Sequence, residues 1–359
     1  MTFLDLLQQN LNAELSSSER DSSAIEGIET QILHSMELRT IVTQRAQERR
    51  GLQSVPAYDP DHVPGVLSKH TIKHSGKERE VFSPADLDYP QAQYYQIGII
   101  GPVADYLVHA NTYAYRTGMG TETAIIDAIA IASSRPDCMM FQEDIADCFG
   151  SIPAATVKPV FSPKAWNYVD GVRGRFRELV QGAPGLPQGH PIAASCVNVA
   201  IHFMLLPIRQ RYAGIASILV YSDDITVAAP RGVALQIIAE IKAALAAHGM
   251  RLNPSKARAT RPAQGKQINL LGYQLEWQKP QGWPVIRPQR KAYQRLADAL
   301  ANSVDNNHAT AIKHGWANAY RLTNDPRHLD CMKSAIQDGT RRWRENSANR
   351  TQCPNPGDI

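Results

Sequence analysis

Two adjacent aspartates, Asp223 and Asp224, interrupt an otherwise apolar and β-rich stretch, SILVYSDDITVAA (217–229). Carboxylates held side by side against a sheet raise each other's pKa, so a fold that keeps them there needs a compensating cation. Asp is also a common turn residue, and a plain polar hairpin turn is the alternative that these few residues leave open. A third acid, Asp144, closes the run MMFQEDI (139–145), which reads as another strand. Hard divalent cations with oxygen ligands relieve such a cluster, and Mg²⁺ uses few carboxylates together with substrate phosphates. Two such ions, about 3.5–4 Å apart, clamp an in-line phosphoryl displacement. Three acids on neighbouring strands therefore point towards phosphoryl-transfer chemistry.

The surrounding pattern alternates helices and strands. Residues 1–56 place Leu4, Leu7, Leu11 and Leu15, then Ile25, Ile28 and Ile32, at helical spacing, which predicts two amphipathic helices. TIKHSGKEREVFSP (71–84) predicts two short strands around a Ser75-Gly76 turn, and a helical pattern returns between Tyr94 and Ser134. Further helices are expected over 171–180, 192–213 and 234–249, a strand pair over 268–277, and helices again over 288–346. The order describes an antiparallel sheet backed by helices, an α+β layer.

Composition limits the classes. The chain has 359 residues, 43% hydrophobic and 20% charged, which excludes wholesale disorder. It has no apolar run long enough for a membrane-spanning helix, and its opening residues lack the basic start and apolar core of a secretory signal. Five cysteines without a CxxC pair suit a reducing cytosol and argue against a disulfide framework or a zinc site. Residues 281–359 hold 12 Lys and Arg against 7 Asp and Glu, a basic excess that suits a phosphate-binding surface or a solvated helical face.

Five segments then occur in a fixed order: Asp144-Ile-Ala-Asp-Cys-Phe149, Gly185-Leu-Pro-Gln-Gly189, Tyr221-Ser-Asp-Asp224, Asn253-Pro-Ser-Lys256 and Leu270-Leu-Gly-Tyr273. Together they resemble the palm motifs of prokaryotic reverse transcriptases of the group II intron-like, retron and defence-associated kinds. Upstream, Lys73, Gly76, Lys77 and Arg79 look like the fingers hairpin, and Tyr113–Thr121 like the next fingers motif. Downstream, Gly315–Tyr320 looks like a thumb helix. The resemblance covers roughly residues 65–325.

That resemblance implies a right-hand polymerase: fingers, a ferredoxin-like palm of antiparallel sheet backed by helices, and a helical thumb. The expected organisation is a helical extension over 1–56 and fingers over 57–135. The palm would span 136–279, with finger helices inserted around 155–185, followed by a thumb over 280–346 and a tail over 347–359. It implies that Asp144 and Asp223, with the Ile145 carbonyl, hold two Mg²⁺ ions, for which Mn²⁺ could substitute, and that Asp224 is a weaker ligand. Phe149 would clash with a ribose 2′-hydroxyl and so select deoxynucleotides. Gln188 would contact the incoming nucleotide, Lys73, Arg79 and Arg116 would grip its triphosphate, and Lys256 would stand behind the leaving pyrophosphate as a candidate general acid. Gly272, Arg287, Arg290, Lys291 and Arg295 would meet the primer and template, with Trp277, Trp283 and Trp316 nearby.

The expected activity is RNA-templated DNA synthesis from a DNA or RNA primer with dNTPs. The expected setting is a cytoplasmic one without a membrane, such as antiviral defence, with a dedicated non-coding RNA or an accessory defence protein as partner. Leu-Pro-Gln-Gly differs from the Ile-Pro-Ile-Gly-Ser common in diversity-generating enzymes. The Tyr-Ser-Asp-Asp turn carries Ser222 where prokaryotic members more often have Ala, Val, Ile or Met. An RNA-templated RNA polymerase is the second reading, disfavoured by the bulk of Phe149. An inactive palm serving as an RNA-binding scaffold is the third, disfavoured by the presence of all three acids.

Overall fold

The computed structural model describes residues 2–17, 20–74, 77–135, 137–263, 265–279 and 282–351; for Lys73, His74, Lys77, Ala154 and 347–351 it describes the backbone alone. The chain forms two compact units, 1–124 with 141–258, and 125–140 with 259–359.

The first unit opens with three helices rather than the two expected: α1 (Phe3–Ser16), α2 (Ser22–His34) and α3 (Met36–Arg50). The additional break is made by Ser35, which ends α2 in extended geometry and caps α3 by accepting from the Leu38 amide. Thr2 and Asp5 form a capping box at α1, and Asp21 accepts from Ser23 and Ala24 at α2. Each helix buries an apolar stripe: Leu4, Leu7, Leu11 and Leu15 as expected, then Ile25, Ile32 and Leu33 with the expected Ile28 only half-buried, then Leu38, Val42 and Ala46 on the unexpected third helix.

Strands β1 (Leu67–His74) and β2 (Lys77–Pro84) pair antiparallel, with Ile72 opposite Arg79; the expected Ser75-Gly76 turn lies outside the described residues. Helices α4 (Tyr89–Tyr95) and α5 (Gly101–Leu107) are joined by a π-helical turn over Gln96–Ile100. The Gln8 amide donates to the carbonyls of Ile97 and Gly98 within that turn, at 3.0 and 3.2 Å, and so ties α1 to it. Helix α6 (Thr121–Ser134) follows.

The central sheet is formed by β3 (Cys138–Asp144), β4 (Ser217–Tyr221), β5 (Asp224–Pro230) and β6 (Arg258–Thr260), in the order β4-β5-β3-β6. β4 and β5 form a tight antiparallel hairpin in which Tyr221 faces Asp224. β5 is almost wholly buried from Ile225 to Ala229, and the adjoining α10 (Arg231–Ala247) packs on it and on α9 (Ala193–Arg211). The short α7 (Cys148–Ser151) follows β3, and α8 (Pro163–Leu179) starts at the Ser162 cap.

In the second unit, β7 (Gln267–Leu270), β8 (Tyr273–Glu276) and β9 (Val285–Pro288) make a separate antiparallel sheet. The strand pair expected over 268–277 is present and pairs with β9, apart from the central sheet. One face of this sheet is buried: Ile268, Leu270, Tyr273, Leu275 and Ile286 are buried while their neighbours along the strands are not. Helices α11 (Arg290–Ala301), α12 (Asn306–Ala319) and α13 (His328–Thr351) complete the unit around Leu296, Ala297, Leu300 and Ala335. No described helix is long and apolar enough to cross a membrane.

One buried acid makes this fold sensitive to pH. Glu29 on α2 is 0% exposed; its Oε1 accepts from Ser162 Oγ at 2.5 Å, and its Oε2 has no partner. Burial lifts its pKa to about 7, against the opposing Ser162 hydrogen bond and Lys164 charge. Between its ordinary value of 4.5 and about 7 the folded chain keeps a proton that the unfolded chain has lost. Stability therefore falls as pH rises through this window, by an amount on the order of 3 kcal/mol. Glu29→Gln should raise Tm above neutral pH and flatten the decline of Tm across the window, as measured by calorimetry in a pH series.

Candidate active site

A cavity of about 540 Å³ opens in the first unit, and Asp144, Asp223, Phe149, Gln188, Arg79 and Lys256 all border it. Asp144 is the last residue of β3 and is buried. The chain beyond it is clamped on both sides. The Ile145 amide donates to the Asp223 carbonyl at 2.9 Å, the Ala146 amide to the Arg251 carbonyl at 2.9 Å, and the Asn253 amide to the Asp144 carbonyl at 2.7 Å. Backbone pairing thus brings β3, the β4–β5 turn and the segment after α10 to one point.

The side chains follow. Lys256 Nζ is ion-paired with Asp144 Oδ2, and Asn253 Nδ2 reaches Asp144 Oδ1 at 3.5 Å. The Asp144 and Asp223 side chains lie close enough to act on each other's ionisation. Burial, then the charge of Asp144, raises the Asp223 pKa, while its own backbone amide and Lys256 oppose the rise. Asp224 is an exposed residue, yet its carboxyl lies close enough against protein that desolvation leads. With the charges of Asp223 and Asp144 added, its pKa reaches about 6. The buried Cys148 thiol beside them is pushed strongly upward by burial and by the same acids, so it stays a neutral thiol.

The sequence match agrees with this convergence: residues 69–275 match the family described as reverse transcriptase (RNA-dependent DNA polymerase). The chain belongs to that family. It has the α+β right-hand polymerase fold of those nucleotidyltransferases, built from helices and antiparallel sheets. Among solved structures, it is similar to telomerase from Candida albicans in complex with the TWJ fragment of telomeric RNA, at 8% identity and a TM-score of 0.44, over 87% of this chain and 65% of that one. It is also similar to apo telomerase from Candida tropicalis, at 8% identity and a TM-score of 0.49, over 88% of this chain and 62% of the other. A C-terminally truncated form of that telomerase matches at 10% identity and a TM-score of 0.44, over 70% and 60%. The chain thus spans less than two thirds of the length of these telomerases.

In this reverse transcriptase family member, Phe149 follows Asp144 into α7 and is half-buried at the cavity wall. The Leu186 amide donates to the Phe149 carbonyl at 2.8 Å, and a Cβ added at Gly185 would lie 2.1 Å from that carbonyl oxygen. Glycine is therefore required there for the Gly-Leu-Pro-Gln-Gly segment to lie against α7. The Phe82 amide donates to the Gln188 carbonyl at 2.7 Å, which ties the same segment to β2. Arg79 on β2 is exposed at the cavity, close enough for its charge to reach Asp224. Lys73 lies on β1 opposite Glu78, and its side chain is outside the described residues.

Other expected residues sit elsewhere. Arg116 does not border the cavity: its guanidinium is spent on the Asp105 carboxylate and on the carbonyls of Asp105, His109 and Thr112. Asp105 lies on α5 and His109 and Thr112 in the loop that follows, and a forked cation satisfies several such acceptors at once. Lys256 is engaged with Asp144 rather than standing free. In the second unit, Arg287 bonds Gln274, Glu276 and Asp325, so it braces the β7–β9 sheet instead of offering a free phosphate contact. Gly272 has φ +88°, and a Cβ there would come within 3.3 Å of the Tyr320 hydroxyl, so a strained turn and its packing account for the glycine. Arg290, Lys291 and Arg295 are exposed on α11. Trp277 is buried, Trp316 packs against the α11–α13 core, and Trp283 is exposed.

Tyr115, Asp147 and Asn253 also border the cavity, although the sequence assigned a role to none of them and marked Asp147 as solvated or structural. Asn253 lay inside a quoted motif, but nothing in its residue type marked it as a partner of Asp144. The close approach at Gly185 yields a test. Gly185→Ala should destabilise the chain by about 2 kcal/mol or more, whereas Gly174→Ala, in helix α8 with nothing near its Cβ, should be neutral or stabilising. Urea midpoints of the two variants make the comparison.

Proposed function

We propose that the chain is an RNA-directed DNA polymerase that adds deoxynucleotides to a primer 3′-hydroxyl, with Asp144 and Asp223 as ligands of two Mg²⁺ ions. The observation that carries this reading is the convergence of Asp144 and Asp223, joined through the Ile145 amide and the Asp223 carbonyl, at the wall of a cavity that Phe149, Gln188 and Arg79 also line.

The donor set suits hard cations in a particular way. Among the described residues no group of three His, Cys, Asp or Glu side chains could hold an ion unaided. Mg²⁺ commonly takes one or two carboxylates and completes its shell with water and substrate phosphates, so two aspartates and the Ile145 carbonyl fit as its protein share. Raised Asp223 and Asp224 pKa values reflect acids awaiting positive charge. Bound there, such ions, or Mn²⁺ in their place, supply Lewis acidity to the α-phosphate and favour ionisation of the attacking hydroxyl.

The protein's own groups do the rest. Lys256, paired with Asp144, offsets one of the site's negative charges before substrate arrives and can turn to the leaving pyrophosphate as a proton donor. Arg79, with Lys73, grips the triphosphate, Gln188 orients the nucleotide, and Phe149 obstructs a 2′-hydroxyl. Arg290, Lys291 and Arg295 remain candidates for the nucleic-acid backbone. The motifs favour a prokaryotic enzyme of the group II intron-like, retron or defence-associated kind, working in the cytoplasm on an RNA template. Antiviral defence, with a dedicated RNA or an accessory protein, is the setting we favour.

Primer extension on a homopolymer RNA template with Mg²⁺ tests the chemistry. The Asp223→Ala, Asp224→Ala double variant should lose at least about 100-fold in rate, and retained extension would overturn the metal assignment. Phe149→Ala or Phe149→Val should raise ribonucleotide incorporation relative to deoxynucleotide by roughly 10-fold or more. An unchanged ratio would remove Phe149 as the sugar gate and favour the RNA polymerase reading.

A further inference from the structure

Four described non-glycine residues adopt the left-handed backbone region: Tyr115 (φ +58°), Asp147 (φ +46°), Ser222 (φ +59°) and Leu271 (φ +48°). The first three border the same cavity. Such conformations are costly for residues with a Cβ and persist where the surroundings enforce them. Two of the three are neighbours across the cavity wall: the Tyr115 hydroxyl lies within reach of the Ser222 side chain.

The two partners differ in how they are held. Ser222 is buried at the tip of the β4–β5 hairpin, immediately before Asp223. Tyr115 is 61% exposed and borders the cavity, yet the loop that carries it is stitched to β4. The Val220 amide donates to the Asn111 carbonyl at 2.8 Å, and the Tyr113 amide to the Val220 carbonyl at 3.0 Å. Asn198 Nδ2 donates to the Ala114 carbonyl at 2.7 Å, and the hydroxyls of Thr121 and Tyr221 meet at 2.9 Å. The tyrosine is therefore mounted on a rigid frame, while the turn it touches contains the acid whose position matters.

We propose that Tyr115 is a positioning residue: through Ser222 it holds the catalytic turn so that the Asp223 carboxyl stays beside that of Asp144, ready for divalent cations. A tyrosine that merely filled space would need no hydroxyl, and an exposed phenol bonded to water would not constrain the turn. A turn residue with φ near +60° would ordinarily be Gly or Asn, and serine in its place contributes the one feature glycine lacks here, a hydroxyl within reach of Tyr115. The pair acts on the geometry of the ligands and not on the nucleotide, so its loss should appear in metal dependence before nucleotide affinity.

This inference rests on the polymerase reading, and the experiment keeps the two apart. Full-length wild type, Tyr115→Phe, Ser222→Ala and the double variant are compared with a dideoxy-terminated primer on an RNA template and one dNTP. Mn²⁺ binding is read from the loss of the free-ion electron paramagnetic resonance signal. Extension of an unblocked primer then gives the Mg²⁺ concentration for half-maximal rate. Each single variant should weaken both by about 3- to 10-fold, with KM for the dNTP little changed, and the double variant should be no worse than either single one. Ser222→Gly, which accepts the left-handed backbone without strain, should show the same loss, separating the hydroxyl from the fold. Unchanged metal dependence in Tyr115→Phe, or effects that multiply in the double variant, would overturn the positioning role while leaving wild-type polymerisation intact. A wild type whose extension does not depend on Asp223 would instead sink the polymerase reading, and this inference with it.

Discussion

The Asp144 carboxylate lies between a cation and another acid: Lys256 is paired with one oxygen, and Asp223 stands close alongside. A buried carboxylate without a partner would be expelled or protonated, so the ammonium of Lys256 makes the corner tolerable before any substrate is present. The same contact means that the segment after α10 must close on β3 for the acids to meet. Backbone pairing from Ala146 to Arg251 and from Asn253 to Asp144 supplies that closure. The site is therefore assembled by main-chain hydrogen bonds and only afterwards tuned by side chains.

Around this corner the cavity wall depends on close backbone approach more than on bulk. The Gly185 segment lies directly on the Phe149–Gly150 peptide and is drawn to β2 through Phe82. The residue proposed to read the sugar and the residue proposed to orient the nucleotide are thus coupled through one short stretch of chain. Rigid neighbours of this kind favour preorganisation, because the groups need not be rearranged when substrate enters. Helices α1 to α3 take part less directly, through Gln8 on the π-helical turn and Glu29 beneath the α8 cap.

The second unit divides its charges between internal and external uses. Arg287 is consumed by Glu276 and Asp325, and Arg342 by Asp298 and Asp338, whereas the basic residues of α11 face outward. A count of basic residues along the chain treats these groups alike, although a cation already paired with two carboxylates has little left for a phosphate.

Local pattern alone was enough to mark most helices and strands, because burying one face forces a period of two or about 3.6 on the residues. It also drew attention to Asp144 and Asp223 as acids beside apolar strand residues, whereas Phe149 was marked only by the resemblance of the motifs to reverse transcriptases. Long-range pairing lay beyond it. Glu29 meeting Ser162, Arg116 meeting the carbonyls of its own loop, and Tyr115 meeting Ser222 all depend on which surfaces are brought together. The strand pair over 268–277 was readable as strands, but its partner β9 was not, because edge pairing is chosen by register between segments rather than by either segment's composition. An ionisable side chain has the same formula whether it grips a substrate or props up a loop; its neighbours in space separate the two roles, and those neighbours are a property of the folded chain.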